Sequence, residues 1–351
     1  MQTKLPAALE MHRAFESRNS SYDGIFFTAV QTTGIFCRPS CPAKKPNRNN
    51  VEFFPSTRDA LFAGYRPCKR CRPMEPSGVV PSWIRPLVSD VEANPAKRWN
   101  DSDLRAQNLD PSRVRRWFKA NHGMTFHAYQ RGMRLGNALE ELRNGGDISR
   151  TAFDHGYESL SGFREAFKQI VGDAPGRSRG TEQIYFKRML TPLGPMLAAA
   201  TEQGVCLLEF ADRRMLETQL RRLARRLGTA VTPGSTPILE QLEAELGEYF
   251  SGVRRKFSVP LVTPGTAFQQ EVWQVLRGIP YGKTWSYADQ ARALGRPEAV
   301  RAVARANGDN PIAMLIPCHR VVGSDGQLTG YGGGVWRKRF LLDLERRANS
   351  Q

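Results

Sequence analysis

Six cysteines stand at positions 37, 41, 68, 71, 206 and 318 of the 351-residue chain, and the first four have a spacing that does chemistry. Cys37-x3-Cys41 and Cys68-x2-Cys71 are two chelating pairs separated by 26 residues, close to the spacing of four-cysteine zinc sites. Tight turns in CRPSC and RPCKRC let both sulfurs of a pair face one ion. Nine basic side chains surround them (Arg38, Lys44, Lys45, Arg48, Arg58, Arg66, Lys69, Arg70, Arg72) against Glu52 and Asp59, which makes a phosphate-seeking surface. A zinc ion there holds a small basic module together. The same site offers a second chemistry, because four thiolates on one divalent ion leave a net charge of about −2 and an electron-rich sulfur. Alkylating one sulfur removes a negative charge, worth on the order of 1 to several kcal/mol beside DNA phosphates.

Cys318 lies in MLIPCHRVVG, between an apolar strand-like run and a Gly-rich loop, with His319 next to it. Cysteine with a nearby base is a nucleophile pattern. In an extended strand, however, neighbours point to opposite faces, so adjacency alone makes no pair. GYGGG at 330–334 follows the cysteine and opens no helix, which reads as a flexible loop near a substrate rather than a nucleotide loop. Cys206, in GVCLLEF, alternates into an apolar strand as a buried core residue.

The elements that must position these groups fall into three segments. Pro-rich RPMEPSGVVP closes the first, with a boundary near Met74–Pro81, and GRSRGTEQ is a second linker. Between them the pattern is helical: Asp110-Pro111 caps SRVRRWFKANHG, where Val114, Trp117 and Phe118 share a face. FDHGYESLSGFREAFKQIVG repeats the logic, with Phe163 and Phe167 inward and Ser159, Ser161, Gly162 and Arg164 outward. These are either ordinary amphipathic core helices or recognition helices for DNA. Beyond about 183, MLAAATEQGVCLLEF makes two strands around a turn, followed by the amphipathic METQLRRLARRL. Lys and Arg number 51 against 34 Asp and Glu, a net charge of +17 that favours a polyanionic partner. No apolar run approaches the roughly 20 residues of a membrane span. Charges in MQTKLPAALEMHRAF argue against a signal peptide, so the expected compartment is the reducing cytoplasm, where clustered cysteines bind metal.

TTGIFCRPSC followed by GYRPCKRC resembles the N-terminal module of the Ada methylphosphotriester repair proteins. The resemblance implies that Cys37 accepts a methyl group from a backbone phosphotriester while Cys37, Cys41, Cys68 and Cys71 bind zinc. WFKANHGMTFHAYQRGMRL and GYESLSGFREAFK resemble the two half-motifs of AraC-type regulators, with WNDSDLRAQN more polar than the usual supporting helix. TAFQQEVWQVLRGIPYGKTWSYADQARALGRPEAVRAVARANGDNPIAMLIPCHRVVGSDGQLTGYGGG resembles the O6-alkylguanine-DNA alkyltransferases. This implies Cys318 as acceptor, His319 as its base through a water, Glu345 orienting the histidine, and Asn310 organising the loop before the cysteine. It also implies that Tyr287 rotates the base out and donates to it, and that Arg301 fills the gap from the minor groove.

The fold expected from these resemblances is multidomain α+β. It comprises a zinc-bound α/β module (1–78), an all-α double helix-turn-helix domain (82–180), and an α/β alkyltransferase domain with a small β subdomain and a winged-helix-like part (183–351). The expected function is single-turnover methyl transfer from O6-methylguanine and O4-methylthymine to Cys318 and from phosphotriesters to Cys37. Methylated Cys37 would then switch on transcription. Expected partners are double-stranded, alkylated and promoter DNA, contacted by Arg38, Lys44, Lys45, Arg66, Lys69, Arg70, Arg113, Ser161, Arg164 and Arg301. RNA polymerase is a further partner, and the chain is expected to be a monomer acting at the nucleoid. A zinc-containing regulator without methyl transfer is the alternative. A cytosine methyltransferase would need an adenosylmethionine loop upstream of Cys318, and the sequence contains none, so zinc is the expected cofactor and adenosylmethionine is not.

Overall fold

The computed structural model describes residues 5–75, 78–171, 174–175, 183–213, 215–227, 229 and 231–349, which form two compact units, Met1–Pro81 and Ser82–Gln351. Residues 76–77 of the first linker and 176–182 of the second lie outside the described residues.

In the first unit, helix α1 (Ala8–Glu16) precedes strands β1 (Phe27–Val30), β2 (Ile35–Cys37) and β3 (Val51–Phe54), helix α2 (Thr57–Phe62) and the short β4 (Arg66–Pro67). The sheet order is β3-β1-β2-β4. β1 pairs antiparallel with β2 and β3, and Phe27, Ala29, Phe36 and Ala60 make a small core on one face. The decisive pairing is parallel: β4 lies beside β2 with Ile35 opposite Arg66, so the cysteine ending β2 meets the cysteines after β4.

The second unit opens with six helices: α3 (Arg85–Ala93), α4 (Asp101–Ala106), α5 (Pro111–His122), α6 (Phe126–Arg143), α7 (Ile148–Asp154) and α8 (Leu160–Val171). Helix α5 begins where expected, with the Asp110 carboxylate accepting from Arg113 N at 2.7 Å, and stops at Gly123, whose φ of +68° favours glycine. The polar supporting helix α4 is held by a capping box between Asn100 and Asp103. Leu135, Leu139, Leu142, Phe163 and Phe167 join α6 to α8 in one core.

A sheet of order β7-β6-β5-β8 follows, built from β5 (Ile184–Thr191), β6 (Gly194–Ala200), β7 (Val205–Phe210) and β8 (Val231–Pro233), with α9 (Leu216–Leu227) between the last two strands. The sequence reading recovered β6, β7 and α9 and left out β5. All six residues of β7 are buried, so Cys206 sits in a strand covered on both faces rather than in an alternating one. Helix α6 lies against β8, where the missing side chains of Gly132 and Gly136 leave room for Pro233 and Thr232; a Cβ on Gly136 would come within 2.4 Å of Thr232 Cγ2.

Helices α10 (Pro237–Phe250), α11 (Ala267–Arg277), α12 (Tyr287–Ala293), α13 (Val300–Gly308) and α14 (Val335–Asn349) complete the unit, with β9 (Trp285–Ser286) and β10 (Val321–Val322) paired in parallel. Two expectations are corrected here. The apolar run Ile312–Ile316 is a buried loop making isolated bridges to Leu208 and within itself, and Cys318–Arg320 is a 3-10 turn. GYGGG does open a helix, leading directly into α14 through Gly334 at φ +95°.

Candidate functional sites

The four expected cysteines converge. Their sulfurs all lie within 4.8 Å of one another, and Cys41 Sγ is 4.0 Å from Cys68 Sγ. A tetrahedron of Zn–S bonds of about 2.3 Å requires S···S separations near 3.8 Å, so the arrangement fits zinc. Backbone hydrogen bonds set it up: Cys68 N donates to Phe36 O at 3.0 Å, and Arg38 N donates to Cys71 Sγ at 3.4 Å. Packed this closely, the four groups cannot all ionise alone. The Cys37 thiol is pushed far above its ordinary range by its bonds to Cys41 and Cys71, then by burial. A divalent cation reverses that balance.

The expected DNA contacts of this unit divide. Lys44, Arg66, Lys69 and Arg70 are exposed. Arg38 and Lys45 are turned inward instead. The Arg38 guanidinium donates to the carbonyls of Cys71, Arg72 and Glu75, stapling the two chelating loops together. Lys45 Nζ donates to Pro39 O at 3.2 Å and sits 3.7 Å from the centre of the Phe15 ring.

In the second unit, parallel pairing of Val321 with Trp285 sets the Cys318 turn beside the start of α12, which carries Tyr287. Asn310 bridges the loop. Its Oδ1 accepts from Ile312 N at 3.0 Å, while its Nδ2 donates to Ile316 O at 2.8 Å and Cys318 Sγ at 3.2 Å. Burial pushes the Cys318 thiol up, and the bond from Asn310 only partly opposes it. The balance favours the neutral thiol over the thiolate.

Cys318 and His319 lie in a 3-10 turn rather than in an extended strand, so the alternation of strand neighbours does not apply to them. His319 is fully buried, with Nε2 2.9 Å from Glu345 Oε1. Burial would raise the Glu345 carboxyl, but His319 and Arg320 outweigh it and hold it well below the usual range, so Glu345 is an anion. His319 Nε2 accordingly carries the proton toward Glu345, leaving Nδ1 as a lone pair. That Nδ1 is buried without a hydrogen-bond partner, as expected of an atom that binds a water. Burial lowers the His319 pKa more than Glu345 raises it, so the imidazole is neutral.

Several residues of this site escaped the sequence reading. Glu345 also accepts from Tyr249 Oη at 2.7 Å, Gly282 N at 3.0 Å, and Arg320 Nε and Nη2, each at 2.9 Å. Lys338 is wholly buried, donates to Thr329 O at 2.7 Å, and has its pKa lowered to about 8 by burial, with Cys318 opposing. The Tyr331 hydroxyl has no partner among the described residues. Tyr287 is raised by burial and keeps its proton. Only the basic character of PCHR and KR in this apolar setting hinted at Arg320 and Lys338.

Arg301 is exposed near the start of α13, and Ser161 and Arg164 are exposed on α8. Arg113 is exposed but stacks 3.8 Å from the Trp83 ring. No helix among the described residues is long and apolar enough to cross a membrane.

Four family descriptions match the chain in order: metal binding domain of Ada over 10–74, helix-turn-helix domain over 104–181, and the ribonuclease-like and DNA binding domains of 6-O-methylguanine DNA methyltransferase over 184–263 and 267–347. These define a modular protein of DNA-alkylation chemistry and regulation. The chain is 37% identical over 338 residues to the bifunctional transcriptional activator/DNA repair enzyme Ada of Escherichia coli, covering 94% of both. It belongs to the Ada family. Residues of its C-terminal part are also 45% identical over 163 residues to a methylated-DNA–protein-cysteine methyltransferase of Mycobacterium bovis, covering 46% of this chain and 93% of that protein. A crystal structure of Mycobacterium tuberculosis O6-methylguanine methyltransferase aligns at 39% identity and a TM-score of 0.41, over 47% of this chain and 94% of that one.

Proposed function

We propose that the chain repairs methylated DNA by two irreversible transfers to its own cysteines and reports the damage as a transcriptional activator. The observations that carry the repair half are the buried Glu345–His319 pair, whose Nδ1 has no hydrogen-bond partner among the described residues, and the Cys318 thiol held by Asn310 one residue away in the chain. Guanine O6 is out of line inside the stack, so the damaged nucleotide must first leave it, at a cost of roughly a few kcal/mol. Arg301 fills the vacancy and Tyr287 aids the rotation. A water on His319 Nδ1 relays the thiol proton to the imidazole, and Glu345 stabilises the imidazolium. Cys318 Sγ then attacks the methyl carbon; the S–C bond forms as the C–O bond breaks. Tyr287 donates the proton that the departing guanine needs, and O4-methylthymine reacts likewise. The thioether has no route back, so each site acts once.

Zinc held by Cys37, Cys41, Cys68 and Cys71 keeps their sulfurs ionised at neutral pH. Cys37 is the acceptor for methylphosphotriesters. Its methylation removes one negative charge among Lys44, Arg66, Lys69 and Arg70, which strengthens attraction to DNA by on the order of 1 to several kcal/mol. Helices α5 and α8 then hold promoter DNA, with Ser161 and Arg164 facing it, and RNA polymerase is recruited. The methyl donor is DNA, so adenosylmethionine has no part. The protein acts as a cytoplasmic monomer at the nucleoid, with three functional segments, 1–78, 82–180 and 183–351. Transfer of labelled methyl from alkylated DNA to wild type, C37A and C318A tests this. Label on both single variants and none on the double variant supports two acceptors; label lost from neither single nor double variant overturns them.

A further inference from the structure

An arginine-lined groove in the second unit has no part in either transfer. It measures about 490 Å³ and is lined by Arg98, Trp99, Asp101, Arg115, Arg131 and Arg134, with His127 at its edge. Its frame is rigid. Gln130 of α6 accepts from Trp99 N at 2.9 Å and donates to Trp99 O at 3.1 Å, which pins the segment carrying Arg98. Asp101 is the only carboxylate among the lining residues and is taken by Arg115 at 2.9 Å. Four guanidiniums against one carboxylate leave the lining at a net +3 with His127 neutral.

Two of these charges stand out. Arg134 is only 9% exposed, and among the described residues its Nε has no hydrogen-bond partner and its guanidinium, 5.8 Å from the ring of Tyr157, has no carboxylate partner. Arg131 is exposed and has no ion pair among the described residues. Burying an uncompensated cation is costly, so such a site is built for an anion that arrives from outside. The groove also joins the two helix-turn-helix units. Arg115 belongs to α5 of the first, while Arg98 lies 5.5 Å from the Tyr157 ring and 3.7 Å from Glu158, in the turn that leads to α8 of the second. DNA that offers successive major-groove segments to α5 and α8, about 34 Å apart, must carry a backbone across the junction.

We propose that this groove seats the DNA phosphodiester backbone between the two recognition helices, with Arg98, Arg131 and Arg134 as the phosphate ligands. This rests on the reading of the chain as a DNA-binding regulator. Because phosphate contacts position without reading sequence, the groove supplies register and affinity rather than specificity.

The test is fluorescence anisotropy of the full chain with two unrelated duplexes of roughly 25 base pairs, long enough to offer both grooves, across a range of salt. R98A and R131A should each weaken both duplexes alike and lower the salt slope by about one. R131K, which keeps the charge, should retain the slope, and D101N, which removes the competing carboxylate, should tighten both. Circular dichroism checks that each variant is folded. Unchanged slopes in folded R98A and R131A overturn the backbone seat while leaving DNA binding intact, as does a loss confined to one duplex, which means base readout. Absence of any salt-dependent binding by the wild type overturns the DNA reading itself.

Discussion

The two cysteines proposed as methyl acceptors sit in opposite physical settings. Cys37 lies among three other sulfurs, at the end of a short strand in a small module, and among the described residues no histidine or carboxylate is bonded to it. On the proposed reading its nucleophilicity comes from charge: neighbouring sulfurs and burial hold the thiol up, and a bound cation would favour the thiolate. Among the described residues Cys318 has no second cysteine near it, burial favours its thiol, and on the proposed reading its proton leaves by a relay at the moment of reaction. In the proposed mechanism one site stores an ionised sulfur and the other makes one on demand. An exposed phosphotriester can meet a ready nucleophile, whereas a base drawn from the stack enters a dry site where a standing charge would cost much more.

The sharpest way to break this comparison is to exchange losses between the sites. C318A should abolish labelled methyl transfer from O6-methylguanine and leave phosphotriester transfer unchanged, with C37S giving the reverse. Equal losses at both sites in either variant would mean the sites are not independent. Next in size, H319A and E345Q should slow transfer to Cys318 by roughly 10²–10⁴-fold and leave Cys37 untouched, read by single-turnover kinetics. Stripping metal with a chelator should do the opposite, ending transfer to Cys37 and unfolding residues 1–81, since structural zinc supplies folding energy outright. Mass spectrometry of both acceptor peptides after chelation checks it.

A pH profile discriminates more finely. Burial depresses the His319 pKa below its ordinary 6.5, so the neutral imidazole that accepts the proton is present at pH 7. Transfer to Cys318 should stay level as pH falls toward 6.5 and then decline by about tenfold per unit once the folded-state value is passed, because protonated Nδ1 cannot accept. A decline that begins above pH 7 would remove His319 as the base. The smallest expected effect is structural. G136A drives a Cβ into Thr232 and should cost about 1–3 kcal/mol, lowering by a few degrees only the calorimetric transition of residues 82–351. A shift in the metal-dependent transition as well would show that the two units unfold together.

Much of this molecule was legible in one dimension. Cysteine spacing announced the four-cysteine cluster because a chelating pair needs only a local turn, and Asp110-Pro111 marked the start of α5 because a cap satisfies local backbone groups. Buried Phe163 and Phe167 followed from helical period. Local signals failed where long-range pairing decided the conformation. The Ile312–Ile316 run has the composition of a strand, yet Leu208 draws it into a bridge and Asn310 bends it, so it becomes a loop ending in the turn that carries Cys318 and His319.

By itself, the sequence determined which side chains could be nucleophile, base and metal ligand, because those properties belong to residue types and short spacings. Only the tertiary structure decided their states. Glu345 is an anion because His319 and Arg320, brought against it from 26 and 25 residues away, outweigh its burial, and that fixes which nitrogen of His319 is free. Arg38 and Lys45 read as two more free cations until folding gave them carbonyls and a ring to bind. Arg98, Arg131 and Arg134, unremarkable along the chain, become a site because α6 and the segment before α4 hold them over one groove. Charge type is written in the residue, but the field that each charge feels is set by neighbours that only the fold supplies.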